Sequence, residues 1–209
     1  MPARIDHTVT SGTFSLDGQT FDVDNNVWVL GDDTECVVVD APHDVDAILE
    51  AVGGRTVKAI LATHAHDDHV RKAPELAEAT GAPILLHPDD LPVWQLTHPD
   101  TQVGGSLADG QSIEVGGVTL HVLHTPGHAP GACCFHVPAL GVVFTGDTLF
   151  QGGPGATGRS FSSFDTIIES LKAKILTLPP ETVVHTGHGA STTIGAESPH
   201  LDEWITRGH

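Results

Sequence analysis

The chain has 209 residues, 39% of them hydrophobic, and sets nine Lys and Arg against 27 Asp and Glu for a net charge of −18. That length and apolar fraction suit one domain, residues 1–209, with a sizeable core, and exclude a disordered composition. The acidity repels polyphosphate and argues against nucleic acid as a partner, so any anionic small molecule must be met by a few locally placed bases.

In chain order, the N-terminal stretch MPARIDHTVTSGTF has no apolar run of signal-peptide length, and no later segment approaches a membrane span. A soluble cytoplasmic protein with no membrane partner is the expectation. Asp17-Gly18 and Asp24-Asn25-Asn26 read as turns between hairpin strands. Apolar, β-rich runs follow at 27–30, 36–39, 57–62, 83–86, 118–123, 132–137, 141–145 and 182–185, and helix-like segments at 44–52, 67–80, 164–178 and 199–207. This alternation predicts mixed sheets with helices on their outer faces. The segment 88–106 is long for a plain connection, and Trp94 within it is a candidate substrate wall. Cys36, Cys133 and Cys134 lie in apolar runs and read as reduced core thiols, the adjacent pair pointing to opposite faces of a strand.

The stretch THAHDDHVRK at 63–72 carries the densest chemistry. It follows an apolar strand and enters a helix. While the chain is extended, His64 and His66 point the same way and converge on one ion; once it turns helical, Asp68 and His69 are displaced towards a second. His128 in HTPGH, Asp147 in TGD and His188 in TGHG are each the first strong ligand type past the end of an apolar strand. Strand ends that offer His or Asp at one edge build a site on an α/β scaffold. The set suits two zinc ions, with iron as the other fit. Among the remaining histidines, His7, His43, His98 and His209 are assigned nothing. His121, His124, His136 and His185 read as structural, with His185 the best placed to orient a ligand.

In the order THxHxDH, TPGH, TGD and GHG, these motifs resemble the metallo-β-lactamase superfamily across roughly residues 20 to 200. Within it, FTGDTLFQGGPG and LPPETVVHTGHGASTTIGAE are similar to the short, single-domain glyoxalase II-like hydrolases. The resemblance implies a mixed α/β, four-layer αββα sandwich with the metals at one edge. It places His64, His66 and His128 on the first metal, Asp68, His69 and His188 on the second, and Asp147 between them. The chain departs from the glyoxalase II pattern at Val70-Arg71-Lys72-Ala73, where the family carries small residues. It departs again at GGPGATGR, two residues longer than the family's GGCGR. It also runs only about twenty residues past His188, where the long enzymes carry a helical domain that grips glutathione.

The chemistry this implies is hydrolysis of a small anionic thioester by a hydroxide held at two metals, because a thiolate leaves without much help from an acid. Asp68 and Asp147 are the candidate catalytic carboxylates, and no GxSxG serine elbow competes with them. Arg159 is the candidate for steering the anion, joined by Arg71 and Lys72 on the helix that leaves the metal motif. The alternatives are a persulfide dioxygenase with one iron, a lactonase, or a non-enzymatic metal protein. The lactonase is disfavoured by the absence of any Tyr. A structural zinc site needs only four closed ligands, fewer than the seven here.

Overall fold

The computed structural model describes residues 2–208, so His209 lies outside it. It opens with a hairpin of two thirteen-residue strands, β1 (Arg4–Leu16) and β2 (Gln19–Gly31), paired from Arg4 with Gly31 to Leu16 with Gln19. The turn is Asp17-Gly18, with φ of 54° and 73°, the paired positive angles of a tight two-residue hairpin. The second expected turn, at 24–26, is instead continuous β2: Asp24, Asn25 and Asn26 pair with Ser11, Thr10 and Val9. Asn25 and Asn26 are buried, and their amides bond to distant groups rather than to their own backbone, so the local chemistry that makes Asn a turn former is spent elsewhere.

The chain continues through β3 (Glu35–Val39), α1 (Val45–Val52), β4 (Thr56–Leu61), α2 (Asp67–Val70), α3 (Ala73–Thr80), β5 (Ile84–Leu86), α4 (Leu91–Thr97) and β6 (Gly105–Ser106). Strands β7 (Ser112–Val115), β8 (Val118–His124), β9 (Cys133–Val137), β10 (Val142–Gly146), β11 (Leu149–Phe150) and β12 (Gly153–Pro154) follow. Last come α5 (Phe164–Ser170), β13 (Val183–Thr186), β14 (Thr192–Thr193), α6 (Ile194–Glu197) and α7 (Leu201–Arg207). The helix expected at 67–80 is two helices. Pro74 sits in the first turn of α3, where its missing N–H costs nothing, and the chain restarts there. The helix expected at 164–178 is α5 followed by one π-helical turn, Leu171–Ile175.

One sheet has the order β1-β2-β3-β4-β5-β6 and the other β14-β13-β10-β9-β8-β7. Period-two alternation explains the layers. In β3, Val37 and Val39 face the inter-sheet core, while Cys36 and Val38 face the helix-covered side. In β10, Val142 and Phe144 enter the inter-sheet core and Val143 packs under α5 and α7. Cys133 and Cys134 divide in the same way, as expected, and all three thiols are free and buried. The fold is therefore an αββα sandwich. Each fully buried aromatic such as Phe135 or Phe144 contributes roughly 1.5–3 kcal/mol by leaving water.

Candidate metal centre

Every residue of the expected ligand set lies just past a strand end on one edge of the sandwich. His64 follows β4, His66 caps α2 from outside, Asp68 and His69 sit in that helix, and His128, Asp147 and His188 follow β8, β10 and β13. The structure brings all seven together. Gly187 lets the last loop approach: a Cβ there would stand 2.4 Å from Asp147 Oδ1 and 2.8 Å from His69 Cε1.

His64 Nε2 and His128 Nε2 each lie 3.0 Å from His66 Nδ1. On the other side, Asp68 Oδ2 is 3.2 Å from His188 Nε2 and 3.6 Å from His69 Nε2, and those two nitrogens are 3.3 Å apart. Asp147 stands between the groups, with Oδ1 3.3 Å from His69 Nε2 and Oδ2 3.6 Å from His128 Nε2 and 3.5 Å from His188 Nε2.

The outer nitrogens decide what these contacts are. His128 Nδ1 donates to the Ala156 carbonyl and His188 Nδ1 to the Asp24 carbonyl, both at 2.8 Å. His69 Nδ1 donates to Asp40 Oδ2 at 2.8 Å. Thr63 Oγ1 gives its proton to Asp40 Oδ2, so it accepts from His64 Nδ1 at 3.1 Å. Four imidazoles thus turn Nε2 inward, bare on neutral His64 and His128 and proton-bearing on His69 and His188 until a cation displaces that proton. Lone pairs packed 3.0–3.6 Å apart repel unless a cation sits among them. An ion about 2.0–2.1 Å from each nitrogen sets its ligand atoms roughly 3.3 Å apart when tetrahedral. The residues present therefore fit two metal ions. Metal identity is open to both zinc and iron on this donor set.

Charge separates the two groups. Burial drives His64 well below its ordinary value and His66 down to about 3, and lowers His128 too, so this trio is neutral. Burial also opposes charge on His69, but the carboxylates of Asp147, Asp68 and Asp40 outweigh it and hold His69 well above its ordinary value. His188 is raised for the same reason, by Asp147 and Asp68 against its burial. Burial would raise Asp68, yet His69 and His188 keep it down to about 2, and Asp147 likewise stays ionised.

Three positioning groups were not found in the sequence. Asp40, with φ of 63°, ends β3 and takes the Thr63 N–H at 2.7 Å besides the His69 bond. Its signal was there, since VVVDAP is another apolar strand ending in Asp. Asn25 Nδ2 donates to Asp68 Oδ2 at 3.1 Å, and Asn25 Oδ1 is 2.9 Å from His43 Nε2. Asp90 is fully buried and accepts the N–H of Ala65 at 2.7 Å and of Gly131 at 2.5 Å, joining the HxH loop to the loop that carries His128. His185 is not the orienting residue: its Nδ1 faces Ser191 and its ring packs on Trp28.

The four candidate substrate residues separate. Arg159 lines a cavity of about 300 Å³ beside the metal centre, with Phe14, Phe21, Val23 and Phe150. Arg71 is turned away and bonds Thr13 and Asp67, tying α2 to β1. Lys72 pairs with Glu75 at the start of α3. Trp94 is buried in the core under the first sheet, its indole N–H donating to the Thr101 carbonyl, and it does not line the cavity beside the metal centre, so the substrate-wall reading is corrected: α4 turns Val93 and Trp94 inward while most of the segment 88–106 stays exposed. His87, Asp89 and His124 also cluster, but their rings stack 3.8 Å apart at 12°, and His124 Nε2 donates to the Pro130 carbonyl, so their lone pairs do not converge.

A family model described as the metallo-beta-lactamase superfamily matches residues 20–188. The chain belongs to the metallo-β-lactamase superfamily. Among members of this superfamily, it is 33% identical over 190 residues to a probable metallo-hydrolase, YqgX, of Bacillus subtilis, covering 82% of this chain and 88% of that one. It is 30% identical over 186 residues to the hydroxyacylglutathione hydrolase GloC of Haemophilus influenzae, covering 82% and 87%. A solved structure, TTHA1623 in a di-iron-bound form, superposes with a TM-score of 0.74 at 32% identity, over 90% of this chain and 96% of that one. The superfamily fold has two sheets and flanking helices, as found here.

Proposed function

We propose that this protein is a two-metal hydrolase that cleaves thioesters of a small, anionic thiol or acid. The observation that carries the reading is the doubling of the ligand set: two groups of three, each held in orientation, with the buried Asp147 carboxylate between them. A single-ion protein has no physical need for the second group, whose charged carboxylates cost burial energy unless a cation offsets them. Similarity to a hydroxyacylglutathione hydrolase supports the thioester class.

When bound, the metal pair supplies an activated water and polarises the acyl carbonyl. The chain supplies everything that orients them. Asp40, Asp24, Ala156 and Thr63 lock the imidazoles, and Asn25 fixes one oxygen of Asp68. Asp147 Oδ1 is buried without a hydrogen-bond partner, and this carboxylate would be a base available within the site. A thiol is acidic enough, at about 8.5, to leave as thiolate, so no dedicated acid is needed. Phe14, Phe21 and Phe150 give the cavity apolar walls, and Arg159 draws the anionic end of the substrate.

The test is thioester hydrolysis by metal-loaded protein, with Arg159→Ala as the comparison. The reading expects turnover in the wild type and a KM for an anionic thioester raised about tenfold in the variant, one hydrogen-bonded charge pair being worth roughly 1.5–3 kcal/mol. Metal-loaded protein that hydrolyses no thioester contradicts it.

A further inference from the structure

Resting on that reading, we infer that the substrate is a compact thioester that is apolar over most of its surface and carries a single carboxylate, which pairs with Arg159, rather than a thioester of a tripeptide thiol. Apart from the histidines of the metal centre, Arg159 is the one basic side chain among the described residues that line the cavity. Arg159 Nη1 is buried and makes no hydrogen bond, so a guanidinium N–H is held ready for an acceptor the protein does not provide. Asp17, whose carboxylate feels the Arg159 charge, has its Oδ2 engaged by the Ser160 N–H at 3.0 Å.

The guanidinium is also fixed before any ligand arrives. Its Cζ lies 4.7 Å from the centre of the Phe21 ring and 5.4 Å from that of Phe14, two residues that face each other across the β1–β2 hairpin. Ser162 Oγ accepts the N–H groups of Gly158 and Arg159 and donates to the Arg159 carbonyl, which shapes the loop. A planar cation clamped by aromatic faces loses little freedom when it pairs with a planar carboxylate.

The rest of the cavity is unsuited to a peptide. Phe14, Phe21, Val23 and Phe150 form its walls, and Phe21 is 41% exposed, an apolar surface left for something to cover. At about 300 Å³ the space lies at the small end of the range for ligand sites. Glutathione brings two carboxylates, one ammonium and two peptide groups. Against these the walls away from the metal-ligand side chains offer one guanidinium and the hydroxyl of Ser160, that of Ser162 being engaged in its own loop, so most of the polar groups would be stripped of water without a partner. The chain's net charge of −18 further penalises a second carboxylate.

The test uses inert thioethers, so that binding is read independently of turnover. S-benzyl-3-mercaptopropionate, its methyl ester and S-benzylglutathione are titrated calorimetrically into the metal-loaded protein and into Arg159→Ala and Arg159→Lys. The acid is expected to bind at least tenfold more tightly than both the ester and the glutathione adduct. Arg159→Ala should erase the advantage of acid over ester, and Arg159→Lys should keep part of it. Equal or tighter binding of S-benzylglutathione overturns the inference. So does an acid-to-ester ratio unchanged in Arg159→Ala, which would place the carboxylate on the metals. The matching S-benzoyl thioesters are assayed in parallel. Binding preference with no turnover of any of them would sink the hydrolase reading and leave this preference standing.

Discussion

The Nδ1–H of His69 donates to Asp40 Oδ2 at 2.8 Å, and both side chains are almost wholly shielded from water. Asp40 therefore sets which nitrogen of His69 turns inward. It holds the ring through a backbone that is itself in the left-handed region, and through a second bond to Thr63 beside His64. One carboxylate orients ligands of both metal groups.

Asp40→Asn presents an N–H where His69 needs an acceptor. Affinity for the ion held by Asp68, His69 and His188 should fall about 10–100-fold, the usual effect of losing a partner that orients a ligand. Competition with a coloured chelator measures it. An unchanged affinity would show that packing alone fixes the ring.

Asp90 gives a pH signature. Burial pushes its carboxyl up to about 6, although two backbone N–H bonds pull the other way. Between the ordinary carboxylate value and about 6, the folded chain holds a proton that the unfolded chain has lost. Its contribution is thus complete below the ordinary value and disappears as pH rises through about 6. Urea unfolding of metal-free protein should show stability falling by on the order of 2–3 kcal/mol from this group as pH goes from 4 to 7. Asp90→Asn should be less stable throughout, because the amide cannot accept both N–H groups, but flatter in this window. Parallel profiles for the two proteins would remove Asp90 as the cause.

Trp94 separates packing from binding. Trp94→Ala leaves a cavity in the helix-covered core and an unpaired Thr101 carbonyl. It should cost about 3–5 kcal/mol in unfolding free energy while KM for any substrate stays within about twofold of the wild type. A large change in KM without loss of stability would return Trp94 to the substrate wall.

Arg71→Ala offers a similar contrast with Arg159. Arg71 binds the Thr13 carbonyl and hydroxyl and pairs with Asp67, all part-exposed. Its loss should cost about 1 kcal/mol of stability and leave the KM for an anionic thioester unchanged. A raised KM would put Arg71 back at the site.

The seven converging His and Asp side chains were legible because each is a strong donor type close to the end of an apolar strand, a local pattern that needs no knowledge of the partner strands. Asp40 carries the same pattern, in VVVDAPHD, but outside the four motifs that hold the ligands. Asp90 could not have been read: its role depends on Ala65 and Gly131 meeting 25 and 41 residues away in the chain. Asn25 was misread as a turn, since turn propensity describes side chains that bond locally, and this one bonds Asp68 across 43 residues. The sandwich followed from alternation, but the break between α2 and α3 hinged on one proline inside an otherwise helical run. Arg71 and Lys72 sat close to the ligands in sequence, yet α2 turns them outward; Arg159, far away in sequence, is the one that faces the cavity.

The most direct measurement is metal quantification on the same sample assayed for thioester hydrolysis, titrated from the metal-free protein. The account predicts two ions per chain, with thioester turnover rising only as the second ion binds. One iron per chain, with oxygen consumed on a persulfide and no thioester cleaved, would contradict it.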